Sequence, residues 1–290
     1  MDEVEIKTEQ PLDLASSLES GQAHRWSLYE DWYVGVVRGN FLKIRQTDSG
    51  IEFHSQPTPE TALAPMVSAY FRLDDDLPAI YDEIKQDQRV AAMVDQYPGL
   101  RVLRIEPWEC LIAFICSANN NISRIHQLME RMAETFGDPI NMDGQIRYSF
   151  PGPSELTEGG EMELRRLGLG FRAPYVDQAA QRVLSGDLNL NRLTAASYPE
   201  AKESLMECKG IGSKIADCIA VFSLEKLEAF PIDVWVRRAL GEWYFPGQKT
   251  PPDRVLLEWA QTYFGRYGGY SQQYLFHGRR LEKKSQAARS

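Results

Sequence analysis

ECKGIGSKIADC, residues 207–218, is the stretch on which the reading of this chain turns. PEAKESLMEC (199–208) before it and SKIADCIAVFSLEKL (213–227) after it both carry helical periodicity, so KGIG is a tight link between two helices. Gly210 and Gly212 permit positive φ and close backbone approach. Ser213 reads as the N-cap of the second helix, whose first amides then form a seat for an anion. A helix–hairpin–helix of this shape grips a DNA phosphate through backbone groups and reads no sequence. Alone it is a weak signal, because glycine-containing links between packed helices are common and most touch no ligand.

Lys214 sharpens it. It stands in the first turn of the second helix, where the positive end of the dipole disfavours a protonated amine, the form in which lysine is no nucleophile. Cys218 lies four residues on and shares its helical face, whereas Asp217, three residues on, is placed to form an ordinary ion pair with the lysine. Downstream, in EAFPIDVWVRRAL (228–240), Pro231 and Ile232 deliver extended chain to Asp233, which reads as a helix N-cap. A carboxylate held there can also face a sugar that gains positive charge as its base departs.

The rest of the chain sets bounds. At 290 residues it is long for one core, and two or three subdomains are expected. Lys and Arg total 32 against 41 Asp and Glu, a net charge of −9, so nucleic-acid binding has to rest on local basic groups and backbone amides. Cys110, Cys116, Cys208 and Cys218 match no zinc or iron–sulfur spacing and read as buried thiols. With no apolar run of membrane-spanning length and an acidic, unsignal-like Met1–Gln10, the chain is expected to be intracellular.

Residues 22–54 carry aromatic and β-branched runs broken at Arg38-Gly39-Asn40 and Asp48-Ser49-Gly50, the pattern of an antiparallel sheet. TALAPMVSAYFRL (61–73) and IYDEIKQDQRVAAMVDQY (80–97) read as helices, and Asp74-Asp75-Asp76 between them as a solvated loop. PWECLIAFICSA (107–118) is apolar on nearly every face, a helix for the centre of a helical domain with Pro107 in its first turn. Asn119, Asn120 and Asn121 end it; two of them suit a helix stop, and an amide there also suits a base edge.

Together KGIGSK and PIDV, the latter's aspartate 19 residues after the lysine, resemble the helix–hairpin–helix DNA glycosylases. CLIAFICSANNNISRIHQLMERMAETFG (110–137) is similar more narrowly to the 8-oxoguanine DNA glycosylase/AP lyase branch. The likeness extends from SGQAHRW (20–26) through LRRLGLGFRAPYV (164–176) to SQQYLF (271–276), nearly the whole chain. It implies an α+β, mainly α fold, with an N-terminal antiparallel β-sheet domain (1–103) packed on two helical domains (104–290) that carry the hairpin at 207–214.

The resemblance also implies roles. Lys214 would attack C1′, expel the base and form a Schiff base from which β-elimination cuts the strand, with Asp233 stabilising the cationic sugar. The Gly21 carbonyl would accept from N7–H of 8-oxoguanine, Gln272 would meet the Watson–Crick edge, and Cys218 and Phe276 would sandwich the base, which requires residues 21 and 276 to meet. Asn119, Arg124 and Arg172 would hold the widowed cytosine while Phe171 wedges the gap. Lys209, Gly210 and Gly212 would hold phosphate, and carbonyls of Met206, Cys208 and Ile211 would cradle a monovalent or divalent cation; no catalytic metal or iron–sulfur cluster would be required. The partner is double-stranded DNA containing 8-oxoguanine, bound by a monomer.

Three positions depart from the family pattern. Trp235 stands where eukaryotic members carry a phosphate-contacting histidine, Phe171 replaces a tyrosine, and Lys209 replaces the usual hairpin proline. The competing readings are a monofunctional glycosylase for alkylated bases, the iron–sulfur branch, and a non-catalytic DNA-binding scaffold. They are disfavoured, respectively, by Lys214, by the missing C-terminal cysteine cluster, and by the pairing of Lys214 with Asp233.

Overall fold

Five antiparallel strands come first: β1 (Val4–Lys7), β2 (Trp26–Tyr29), β3 (Trp32–Val37), β4 (Asn40–Gln46) and β5 (Gly50–Gln56), in spatial order β1-β5-β4-β3-β2. The computed structural model describes residues 4–287, so the outermost residues of the two expected regions, 1–3 and 288–290, lie outside the described part. β2 to β5 are the expected meander. The β3–β4 turn has Arg38 at φ 48° and Gly39 at φ 73°, the two left-handed residues that a two-residue hairpin with right-twisted strands demands. β1 was not expected; it pairs with β5 at long range, Val4 opposite Phe53, and its four residues carry too short a pattern to show this locally.

The helices follow as α1 (Leu14–Glu19), α2 (Glu60–Tyr70), α3 (Leu77–Ile84), α4 (Gln88–Gln96), α5 (Pro107–Cys116) and α6 (Ile122–Phe136). A second hairpin, β6 (Pro139–Met142) and β7 (Gln145–Tyr148), precedes α7 (Pro153–Arg166), α8 (Ala173–Ser185), α9 (Leu190–Ala195), α10 (Tyr198–Met206), α11 (Ser213–Ser223), α12 (Val234–Tyr244), α13 (Asp253–Phe264) and α14 (Gly268–Ala287). The small hairpin turns through Asp143-Gly144, an Asp-Gly signal that sequence reading passed over, and its Met142 caps an apolar cluster of Val34, Val36 and Phe41 on one face of the sheet.

α5 is the expected central helix: Trp108 and every residue from Cys110 to Cys116 are buried. Each large apolar side chain so buried stabilises the fold by about 1.5–3 kcal/mol relative to exposure. Phe114 of α5 stacks on Phe222 of α11 with centroids 5.6 Å apart, so the hairpin's second helix rests on the centre of the molecule.

One local expectation is corrected and another gains partners. The segment 80–97 is two helices, because the Asp87 carboxylate accepts from the Arg89 and Val90 amides at 2.9 Å and starts α4 afresh. Asp74-Asp75-Asp76 is a loop with Asp74 and Asp76 exposed, as read, but it is anchored: Asp74 pairs with Arg104, Asp75 meets Arg104 at 3.1 Å and accepts from Tyr270 at 2.9 Å, and Asp76 caps α3. Charge density alone reads such a run as solvated; the partners come from residues 104 and 270.

The hairpin is held by two devices. Gly210 has φ 88°, and a Cβ there would lie 2.5 Å from the Tyr175 ring, so both conformation and contact require glycine. Gly212 is extended at φ −92° and a Cβ there would meet nothing within 4 Å. Gly212, and not Ser213, is the N-cap of α11, and it caps with no side-chain hydrogen bond. The second device corrects the pairing expected for Asp217. Its carboxylate, 1% exposed, accepts from Lys202 Nζ at 2.8 Å and from the Tyr198 hydroxyl at 2.6 Å, tying α11 to α10.

Two outcomes follow for stability, both read from urea unfolding midpoints. Gly210→Ala should destabilise by about 1–3 kcal/mol while Gly212→Ala has a far smaller effect; equal losses would contradict the conformational account. Asp217→Ala, which strands a buried ammonium, should cost about 3–5 kcal/mol, and a near-neutral result would show that the buried pair contributes no clamp.

Candidate active site

Lys214 sits one residue inside α11, partly buried, its Nζ 5.5 Å from the centroid of the Phe114 ring. One turn on, the Cys218 thiol hydrogen-bonds with the amine, the same-face relation expected from the spacing. Burial pushes that thiol up to about 11, against the pull of the Lys214 charge, so Cys218 is a neutral neighbour. All four cysteines are buried and free; burial likewise takes Cys116 up to about 12.

Asp233 is the N-cap of α12, as expected, and its Oδ1 accepts from the amides of Trp235 at 3.0 Å and Val236 at 2.8 Å. Burial raises this carboxyl above the ordinary value, while the Val236 amide, the Lys214 charge and the Trp235 amide act to hold it ionised. Lys214, Cys218 and Asp233 therefore share one electrostatic neighbourhood. Trp235 itself is half-buried with the Arg238 guanidinium 5.8 Å above its ring, so a cation stands beside the position where the family pattern has histidine.

The two ends of the chain meet beside this group. Gly21 has φ 82°, and a Cβ on it would come within 3.6 Å of the Phe276 ring and 2.7 Å of Ile122, so only glycine lets turn, α6 and α14 close together. What fixes the turn is Gln22, which sequence reading did not single out. Wholly buried, it donates from Nε2 to the carbonyls of Ser17 at 2.9 Å and Arg101 at 2.8 Å and accepts the Leu103 amide at 2.8 Å. On α14, Gln273 donates to the Ser20 carbonyl at 3.3 Å. Its neighbour Gln272 is 4% exposed with Oε1 unpartnered among the described residues, a buried acceptor held ready at substantial desolvation cost.

A second cluster gathers Asn119, Arg124, Phe171 and Arg172. Asn120 donates to the Cys116 carbonyl at the end of α5, the helix stop as read, whereas Asn121 starts the next helix, capping α6 by accepting the Arg124 amide at 2.8 Å. Asn119 is exposed and stands in the left-handed region at φ 48°. Arg172 donates to the carbonyls of Ala118 at 2.9 Å and Asn119 at 3.0 Å, and its guanidinium lies 4.3 Å over the Phe171 ring. Arg124 donates to the Gly168 carbonyl at 3.2 Å. Phe171 is 47% exposed, an aromatic ring presented to solvent.

At the hairpin, Lys209 and Gly212 are exposed and Met206 is 45% exposed, while Cys208 and Ile211 are buried. The Cys208 carbonyl accepts the Ile211 amide at 3.1 Å within the turn. Among the described residues no helix is long and apolar enough to cross a membrane.

This geometry agrees with the comparisons. The family model described as 8-oxoguanine DNA glycosylase, N-terminal domain, matches residues 4–111, and that of the HhH-GPD superfamily base excision DNA repair protein matches residues 112–261. The chain is 32% identical over 243 residues to the probable N-glycosylase/DNA lyase of Methanothermobacter thermautotrophicus, covering 77% of each. To the N-glycosylase/DNA lyase of Saccharomyces cerevisiae it is 34% identical over 253 residues, covering 78% of this chain and 67% of that one. It superposes with a TM-score of 0.89 and 29% identity on the Clostridium acetobutylicum 8-oxoguanine glycosylase/lyase in complex with DNA containing cytosine opposite 8-oxoguanine, covering 98% and 100% of the two chains. Two family models that together span residues 4–261 and relatives this similar show that the chain is a member of the 8-oxoguanine DNA glycosylase/lyase branch of the helix–hairpin–helix glycosylases.

Proposed function

We propose that this protein removes 8-oxoguanine from duplex DNA, with cytosine opposite, and then cuts the abasic strand, acting wherever the cell keeps its DNA: cytoplasm or nucleoid in a prokaryote, nucleus in a eukaryote. The observation that supports it most directly is the Lys214 amine on one face of α11 with Cys218, inside the electrostatic reach of the Asp233 carboxylate, in a chain of this family.

In this reading the hairpin amides of residues 210–213 and the Lys209 ammonium hold a phosphate. Phe171 enters the stack and the damaged base turns out toward α14, at a cost of a few kcal/mol. Cys218 and Phe276 take its two faces. The Gly21 carbonyl accepts from N7–H, a donor that 8-oxoguanine has and guanine lacks, so guanine would leave two acceptors facing each other. Gln272, with its unpartnered Oε1, meets the Watson–Crick edge. On the far side Arg124 and Arg172 exchange their backbone carbonyls for the cytosine acceptors, beside Asn119.

Lys214 Nζ then bonds to C1′ as the glycosidic bond breaks and the base leaves with the electron pair. Asp233 opposes the positive charge that gathers on the sugar. The nitrogen displaces the ring oxygen to leave an iminium, whose electron demand acidifies the C2′ hydrogen and lets β-elimination expel the 3′ phosphate. No cofactor enters this scheme; a cation held by carbonyls of Met206, Cys208 and Ile211 would serve only to bridge the hairpin to phosphate.

Borohydride added during reaction with an 8-oxoguanine:cytosine duplex should trap a covalent protein–DNA adduct, and Lys214→Gln should abolish it. Undiminished trapping by that variant removes the covalent role of Lys214. Asp233→Asn should lower the rate of base release about 100-fold or more with little change in DNA affinity and stability, since asparagine caps a helix as well as aspartate. A parallel fall in rate and melting temperature would reduce Asp233 to a cap.

A further inference from the structure

The last helix reaches back to the chain before Gly21 at two successive carbonyls. Gln273 donates to the Ser20 carbonyl at 3.3 Å, and Arg280 Nη2 donates to the Glu19 carbonyl at 2.5 Å. The next carbonyl along the chain, that of Gly21, takes no hydrogen bond among the described residues. Gln273, Phe276 and Arg280 stand at i, i+3 and i+7 of α14 and so share one face of it. Phe276 thus lies between the two donors, and a Cβ on Gly21 would be 3.6 Å from its ring. The Arg280 guanidinium also stands 5.8 Å over that ring.

We propose that Arg280 is a specificity-determining positioning residue: it fixes the Gly21 carbonyl and the Phe276 ring relative to each other, and so sets the slot in which a flipped base must present a hydrogen at N7. The proposal rests on the reading of Gly21 and Phe276 as base-binding groups. Arg280 acts through them and touches no reacting atom. Each carbonyl lies in a rigid peptide plane, and α14 holds the two planes that precede Gly21, one through Arg280 and one through Gln273. On the other side Gln22 is pinned by the carbonyls of Ser17 and Arg101 and the Leu103 amide. The plane that carries the Gly21 carbonyl has no partner of its own and takes its direction from these neighbours. Glycine at φ 82° supplies no side chain to limit its rotation, so the restraint has to come from outside.

The placement of Arg280 is not that of a solvated surface charge. It is half-buried, its Nε is enclosed with no hydrogen-bond partner, and it forms no ion pair among the described residues. The Glu19 carboxylate is turned to the sheet, where it accepts from the Tyr33 hydroxyl at 2.8 Å. The guanidinium instead meets the main chain where α1 ends, at a carbonyl that has no partner within its own helix and whose dipole favours a cation. A site that hydrogen-bonds one group of its ligand rejects an analogue lacking that group only as far as the acceptor is held in place.

The test uses the full chain on three duplexes that carry 8-oxoguanine, guanine or an abasic site opposite cytosine. The abasic strand needs Lys214 and offers no base to read. Arg280→Met keeps an unbranched chain beside Phe276 and removes the charge and the donors. Release of 8-oxoguanine should fall about 10- to 100-fold, while nicking of the abasic duplex stays within about threefold of wild type. In binding competition, the preference for the 8-oxoguanine duplex over the guanine duplex should fall about 10-fold. Loss of base release and abasic nicking together, as a general loss of structure would give, overturns the proposal, and so does loss of neither or an unchanged preference. Arg280→Lys keeps a cation and a donor and should regain most of the lost base release; a loss as deep as that of Arg280→Met overturns it too. Failure of the underlying reading shows separately: wild-type protein would then nick the abasic duplex and release no 8-oxoguanine.

Discussion

The orientation of α11 depends on a carboxylate that takes no part in the proposed chemistry. Asp217 is buried between Lys202 and Tyr198, and Tyr198 in turn accepts from Gln261 of α13 at 2.8 Å. With Asp217 committed to α10 and, through Tyr198, to α13, Lys214 is left for Phe114, Cys218 and the Asp233 cap. A buried ion pair is a poor source of net stability but a strict instruction about which way a helix faces. If Asp217 instead neutralised Lys214, the amine would be held as an ammonium beside its own helix.

A second constraint closes the site from the other end. The turn that carries Gly21 has few apolar residues of its own, so it is fixed by polar groups with no access to water. Gln22 satisfies three carbonyls or amides, and Arg101, wholly buried, donates to the carbonyls of Arg72 at 2.9 Å and Pro11 at 3.0 Å. Tyr274 of α14 donates to the Leu100 carbonyl at 3.1 Å. The chain at Pro11, the Gly21 turn, the loop at residues 100–103 and the last helix are thereby joined by paired buried polar groups, the condition under which such groups specify one arrangement.

Much of this was legible in the sequence because it is local. The meander, the apolar α5, the tight KGIG link, the Asp233 cap and the helix stop at Asn120 each follow from residues within a turn or two of one another. What escaped is long-range. β1 pairs across some 45 positions of chain, Asp217 finds Lys202 on the preceding helix, and the acidic run finds Arg104 and Tyr270. Spacing along a helix offers Asp217 only Lys214; it cannot show a partner contributed by packing. The Asp143-Gly144 turn was readable and missed, while Ser213 was read as a cap where the chain turns one residue earlier. Gln22 and His24 sit inside a stretch noted for its resemblance, yet nothing local says that one would be fully paired and the other not at all.

The four thiols have a bearing on the setting in which such a protein works. Reactive oxygen species oxidise guanine, and they also attack protein sulfur, through the thiolate. Here every cysteine is enclosed, and burial holds the thiols in the protonated form, even the one that touches an amine. The conditions that create the lesion therefore find little ionised sulfur on the protein that answers it.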